Sequence, residues 1–406
     1  MKKRTALPLV IPALALVVAA PAFAAVANQY FPGGLNYQVS GDGAADTITI
    51  TCVGDEVVPL TAPVAPCSTL TRFFISPGAG ADAVDLSGIT AADFPDLTEV
   101  RVIDEDDVAV DLFTGSAVDD VFLVGGGDEV DAGPGDDVIA GGSRVDEGPG
   151  NDVLFEAGGS DGAFGGPGDD RFVQTLAIGG NDGGSGYDVM QVDLDRASGI
   201  LDGLVLELTA AQLLIAAGGE EQSVFVAGFE EFHVHMARGE DQTFDASAFP
   251  GRLFYYGART ADAVIGSDSE DLISTGTGDD TVMARDGAFD LVDCGDGVDH
   301  AVADAIDRVV NCETVDYPRP ATSRIQGPRK ITKGSSASYS FGSSVAESVF
   351  QCRVDAGSWR SCASPYPVKA KGKLKKGKHT LFVRAGYPAG NWDATPAKKK
   401  IKIKKT

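Results

Sequence analysis

Short stretches of alternating apolar and polar residues recur along this chain. Residues 46–52 (DTITITC) and Glu99–Val102 alternate strictly, which predicts half-buried β-strands. Val108–Val110 and Val121–Val124 are short apolar runs and predict fully buried strands. Residues 80–100 (GADAVDLSGITAADFPDLTEV) and 241–256 (DQTFDASAFPGRLFYY) share one order: an acidic-apolar strand, a small-residue bend, then Phe-Pro. They are read as equivalent coils of wider cross-section. The most apolar stretch after the first two dozen residues, 204–215 (LVLELTAAQLLI), is read as a strand that ends in a short helix. Beyond Lys330, strands are expected at Ser336–Phe341, Ser348–Val354, His379–Ala385 and Lys398–Lys404, a spacing that suggests a small antiparallel sandwich. Ile401 and Ile403 alternate with lysines in the Lys398–Lys405 run, which predicts an edge strand with isoleucines inward and lysines solvated.

A second periodicity lies over the first. Asp119, Asp128, Asp137 and Asp146 stand nine residues apart; a six-residue step leads to Asp152, Asp161 and Asp170, and the phase returns at Asp188. Another run gives Asp262, Asp271 and Asp280, then Asp290 and Asp299 after a ten-residue step. Residues 165–173 (GGPGDDRFV) and 183–191 (GGSGYDVMQ) both fit G-G-x-G-x-D-x-U-x, where U is large and apolar. Residues 132–140 (AGPGDDVIA), 147–155 (EGPGNDVLF) and 275–283 (TGTGDDTVM) come close. Six residues of such a unit can make a tight turn, because glycine tolerates positive φ, and the last three a short strand with U inward. Stacked turns would surround a shared cation with carbonyl and carboxylate oxygens. Calcium accepts six to eight oxygens in a flexible geometry, whereas magnesium demands a tighter octahedron.

These repeats resemble the hemolysin-type calcium-binding nonapeptides of RTX proteins, over roughly residues 115–193 and 262–303. The resemblance implies a right-handed parallel β-helix or β-roll in which glycine carbonyls and the sixth-position aspartate bind Ca2+. Carried onto this chain, those roles fall to Gly135 and Asp137, Gly150 and Asp152, Gly168 and Asp170, Gly186 and Asp188, and Gly278 and Asp280. The chain also departs from the pattern. Arg144 and Ser269 stand where the inner glycine belongs, the step from Asp146 to Asp152 is expected to remove one strand, and Asp271, Asp290 and Asp299 lie in degenerate copies. A partial ladder of ions is the expectation. The alternative is a metal-free solenoid, because turns favour the same residues.

Charge divides the chain. Residues 25–316 carry 10 basic and 56 acidic residues, whereas residues 317–406 carry 20 Lys or Arg and three acids. An acidic block of that size repels itself unless counter-ions neutralise it. Lys2, Lys3 and Arg4, an apolar run from Ala6 to Ala20 and the Ala22-Phe23-Ala24 pattern predict a cleaved signal peptide, residues 1–24. The six cysteines fall into sequence-local pairs: Cys52 with Cys67, Cys294 with Cys312, Cys352 with Cys362. Six cysteines allow 15 connectivities; local pairing is the expected one, and an exported chain favours disulfides over free thiols. The expected organisation is a parallel solenoid over 25–316, a linker over 317–329 (Tyr317-Pro318-Arg319-Pro320) and a basic module over 330–406. Residues Phe350–Trp359, Gly377, His379–Ala385 and Ala389-Gly390-Asn391 resemble the Ig-like domains appended to bacterial surface proteins. That implies an antiparallel β-sandwich.

No G-x-S-x-G, H-E-x-x-H or P-loop motif is present. His233 and His235 share one face of an expected strand, a spacing that could hold a transition metal, but no third ligand is evident. Aromatic and basic residues are not interleaved as nucleic-acid binding would require, and no later stretch is apolar enough to span a membrane. The functional expectation is a secreted, calcium-binding structural or adhesive scaffold with no catalytic residues. Its basic module is a candidate for anionic cell-wall or extracellular polysaccharide. The alternative is a calcium-dependent, lyase-like enzyme acting on polysaccharide, by analogy of fold.

Overall fold

A computed structural model describes residues 36–404, apart from 59–65, 105–108, 160, 176–178, 195–203, 218–219, 237–240, 319, 346–347, 372–373 and 388–391. Residues 1–24, expected to be a signal peptide, and Val108, Arg319, Ala389-Gly390-Asn391 and Lys405 lie outside the described residues. The described residues are all-β, without an α-helix, and they form two compact units.

Unit one is built on two parallel ladders. The first runs through Asn36–Ser40, Arg72–Ser76, Glu99–Ile103, Asp120–Leu123, Val138–Ala140, Val153–Phe155, Arg171–Gln174, Val189–Asp193 and Glu231–His235. The second runs through Thr47–Cys52, Ala83–Gly88, Leu112–Thr114, Glu129–Asp131, Arg144–Asp146, Gly162–Phe164 and Asn181–Asp182. Chain order alternates between the ladders, so each coil contributes one strand to each. Register places equivalent residues above one another. Phe122, Ile139, Leu154, Phe172 and Met190 form one fully buried column, and Val130, Val145 and Ala163 another. A column of this kind buries one side chain per strand, and the polar turns between strands supply the rest of each coil.

Unit two repeats the arrangement. Arg252–Tyr256, Leu272–Ser274, Leu291–Asp293 and Arg308–Val310 form one parallel ladder. Val205–Thr209, Thr243–Ala248, Ala263–Ile265, Thr281–Ala284, His300–Ala303 and Thr314–Asp316 form the other. The same unit contains a basic C-terminal module. Its larger sheet has the order Lys330–Thr332, Ala397–Lys404, Gly377–Gly386, Val349–Val354, Arg360–Cys362, and a separate antiparallel pair joins Ser336–Tyr339 to Tyr366–Lys369. Ile331, Tyr339, Val368, Leu381, Val383, Ile401 and Ile403 make its core.

All three disulfides join the sequence-local pairs: Cys52–Cys67, Cys294–Cys312 and Cys352–Cys362. Ile401 and Ile403 point inward between exposed lysines, as expected. That strand is not an edge, however; it lies between Lys330–Thr332 and Gly377–Gly386. Residues 204–215 hold no helix. Leu206, Leu208, Leu213 and Ile215 are buried at every second position, so two strands, Val205–Thr209 and Gln212–Ala217, follow a period of two rather than 3.6. Val110 is 54% exposed and outside any strand; the rung starts instead at buried Asp111, ahead of Leu112–Thr114. Val121–Val124 is not buried on both faces, because Phe122 points inward while Leu123 is 39% exposed. The expected loss of a strand near Asp146 does not occur. Arg144–Asp146 and Val153–Phe155 are both present, and the shortened connection is the one before Arg144, where only residues 141–143 separate it from Val138–Ala140. Among the described residues, no helix is long and apolar enough to cross a membrane.

Candidate metal centre

Many of the short strands are preceded by an aspartate whose side chain turns into the protein. Asp137, Asp152 and Asp188 are fully buried, and Asp170 and Asp280 are 1% exposed. These are the five sixth-position aspartates expected from the sequence. Four of them form one continuous column. The backbone N–H of Asp120 donates to Asp137 Oδ1 (2.7 Å), that of Asp137 to Asp152 Oδ1 (2.7 Å), that of Asp152 to Asp170 Oδ1 (2.9 Å) and that of Asp170 to Asp188 Oδ1 (2.9 Å). The column ends where the Asp188 N–H donates to Glu230 Oε2. In unit two, Asp262 N–H donates to Asp280 Oδ1, Asp280 N–H to Asp299 Oδ1, and Asp299 N–H to Glu313 Oε2 (2.8 Å each).

One carboxylate oxygen per rung is therefore committed. The second oxygen, Oδ2, of Asp137, Asp152, Asp170, Asp188, Asp280, Asp290 and Asp299 is buried with no hydrogen-bond partner. Buried carboxylate oxygens are ordinarily hydrogen-bonded, paired or bound to metal. Burial, opposed by the backbone hydrogen bond, pushes the Asp137 carboxyl up to about 8, the Asp152 carboxyl to about 7, and those of Asp170 and Asp188 to about 6. Glu147 is also fully buried, and both its carboxylate oxygens lack a hydrogen-bond partner. Burial, joined by repulsion from Asp152 and Asp170, raises its carboxyl to about 10.

The five expected glycines occupy the companion position. Gly135, Gly150, Gly168 and Gly186 stack, each N–H bonded to the turn of the next coil or, for Gly186, packed on the carbonyl of Gly168. A Cβ at Gly168, where φ is 151°, would overlap the Gly150 carbonyl oxygen. Gly278 adopts φ 144° over the Thr260 carbonyl. We expect Gly168→Ala to destabilise the protein by about 2–4 kcal/mol through positive-φ strain and overlap. Gly126→Ala has open space around its Cβ and no positive φ, so denaturant melts of the two variants should differ by most of that amount.

Not every turn leaves an oxygen open. In residues 115–120 (GSAVDD) the second residue is serine, and Ser116 satisfies both oxygens of Asp120: its N–H donates to Oδ2 (2.6 Å) and its hydroxyl to Oδ1 (2.9 Å). Ser267 does the same for Asp271 in residues 266–271 (GSDSED), at 2.7 Å each. There the serine gives each carboxylate oxygen a donor, which the second oxygen of the open turns lacks. Ser269, at the inner-glycine place, bonds back to Pro250 O and to Ser267. A second, exposed ladder runs alongside at the fifth position, where Asp119, Asp136, Asn151 and Asp169 each accept the N–H of the residue above.

Three clusters bring three carboxylates within 4.8 Å of one another: Asp104–Asp111–Asp128, Glu147–Asp152–Asp170 and Asp271–Asp286–Asp290. The fourth cluster, Cys52–Asp55–Cys67, has its sulfurs joined in a disulfide. None of the clusters among the described residues contains histidine. His233 and His235 lie on the outer face of their strand, where His233 pairs with Glu231.

The sequence reading assigned Asp137, Asp152, Asp170, Asp188 and Asp280 as ligands, set Asp290 and Asp299 aside as degenerate copies, and passed over Asp46, Asp111 and Glu147. It also placed Asp119, Asp146 and Asp161 in the ladder phase. Asp119 and Asp161 are exposed and Asp146 closes a strand. The signal that finds the buried set is Asp followed two residues later by a buried apolar residue, regardless of glycine content: Asp46 and Ile48, Asp111 and Phe113, Asp290 and Val292, Asp299 and Ala301. Comparison with protein-family descriptions finds no match, and comparison with curated proteins finds none either.

Proposed function

We propose that this is an exported, calcium-binding scaffold whose acidic coils form a right-handed parallel β-helix or β-roll of RTX type and become stable when Ca2+ loads the turns. The observation that carries the reading is the series of buried aspartate oxygens without partners, aligned rung above rung beside turns whose carbonyls stack against the glycines of the next coil. An all-oxygen, carboxylate-rich donor set suits a hard cation. Calcium's tolerance of six to eight ligands matches turns that differ in detail from rung to rung. Extracellular calcium modules work at dissociation constants of about 10⁻⁴ to 10⁻³ M, so loading would follow export. The three disulfides agree with an oxidising compartment.

The C-terminal module we read as an Ig-like sandwich. The five-strand sheet, the separate two-strand ladder and the core between them support it. An experimental structure in which Ser336–Tyr339 joins the larger sheet would rule that out.

The direct test is a metal count. Protein dialysed at pH 7.5 against a chelator, then against millimolar CaCl₂ with equimolar MgCl₂, should retain several calcium ions per chain and little magnesium. Retention of neither ion would reject the reading.

A further inference from the structure

Glu147 stands at a place in the coil where no other coil of unit one carries a carboxylate. It directly follows the strand Arg144–Asp146. The register of that ladder makes Gly115, Ala132, Gly165 and Gly183 its equivalents, each directly following its own strand. At the equivalent Gly165 a Cβ would overlap the carboxylate of Asp170 and the Gly183 carbonyl, so that coil has no room for a side chain where this one carries Glu147. Its two oxygens are the least accounted-for polar atoms of the column, since the residue is fully buried and neither oxygen has a partner. The Oδ2 atoms of Asp152 and Asp170 are in the same condition. No basic side chain of the described residues is paired with any of the three.

We propose that Glu147, Asp152 and Asp170 form one distinct three-carboxylate site for a calcium-sized divalent cation, tighter than the other turns of the ladder. The three carboxylates offer oxygens within 4.8 Å of one another, inside the span of about 5 Å that two ligands of a single calcium can bridge. A divalent ion there cancels most of a charge of three that would otherwise sit buried and unopposed. Affinity in calcium sites rises with the number of charged ligands. The other turns of the column from Asp120 to Asp188 supply one aspartate from each of two neighbouring coils; this one adds a third carboxylate. The site rests on the calcium reading above and extends it to a residue outside the nonapeptide pattern.

The test compares full-length wild type with Glu147→Gln and Glu147→Gly by calorimetric CaCl₂ titration and by bound-ion count. Glycine restores the residue found at 165 and 183, so that variant keeps the coil intact if glutamine disturbs it. Both variants are expected to keep the weaker binding events and the gain of β signal. They should lose one ion per chain or weaken the tightest event at least about tenfold. Wild type and both variants binding the same number of ions with the same tightest affinity would overturn this site alone, leaving Glu147 a buried neutral acid. Wild type binding no calcium would overturn the site together with the scaffold reading.

Discussion

Chelating calcium from the folded protein at pH 7.5 is expected to abolish most of its β-sheet circular dichroism, and millimolar CaCl₂ to restore it. The acidic region, residues 25–316, carries 56 acids against 10 bases. Its core is a column one side chain wide, so apolar burial per residue is small. At 10 mM free calcium and a dissociation constant of about 10⁻⁴ M, a ratio of about one hundred, each site contributes about 2.7 kcal/mol. Three occupied sites then match the whole net stability of an ordinary domain, about 5–15 kcal/mol. The disulfides Cys52–Cys67 and Cys294–Cys312 hold two local loops but span few coils, so they do not replace the ions. Identical spectra and melting temperatures in chelator and in calcium would refute this.

Acidity should act in opposite directions with and without the metal. Burial raises Asp137 and Asp290 to about 8, Asp120 and Asp152 to about 7, and Asp170, Asp188 and Asp262 to about 6. An unfolded aspartate titrates near 4. With Glu147 raised to about 10 as well, the metal-free folded chain binds more protons than the unfolded one between about pH 4 and 10. Its stability rises as pH falls through that window, most of it below about 8, and is lowest above about 10. With calcium present the same protons compete with the ion, and acid releases it. In metal-free buffer the β-sheet signal lost near pH 8 should return as pH falls to 5; in 10 mM CaCl₂ the melting temperature should fall over the same range. A metal-free β-sheet signal that does not rise on acidification would contradict the buried-carboxylate account.

Much of this architecture can be read from the chain. The nine-residue phase found the coils, and the G-x-G-x-D units found Asp137, Asp152, Asp170, Asp188 and Asp280. The phase misled where two neighbouring acids compete. Asp119 and Asp120 are adjacent, yet only Asp120 faces inward, because the burial of Phe122 two residues on sets the parity. Glu147 was passed over because it occupies a glycine position. Its place beside Asp152 and Asp170 joins residues of two coils, a relation that no local pattern contains. The split between open and closed carboxylates was written in the second turn residue, glycine against Ser116 and Ser267, but its meaning needed the hydrogen-bond geometry. In 204–215 the apolar density suggested a helix, while the buried set of Leu206, Leu208, Leu213 and Ile215 has the strand period.

The backbone-to-carboxylate bonds give the columns a direction. In the columns from Asp120 to Asp188 and from Asp262 to Asp299 each aspartate N–H reaches towards the coil that follows it in the chain, and the two finish on Glu230 and Glu313. A growing chain thus presents these donors before their acceptors exist. A nascent polypeptide halted before residue 230 leaves Asp188 with nothing to hold its amide, and the rungs back to Asp120 hang from that one. Winding of the coils is keyed to the late-synthesised end, a polarity that keeps an incomplete chain slack while it is still being made.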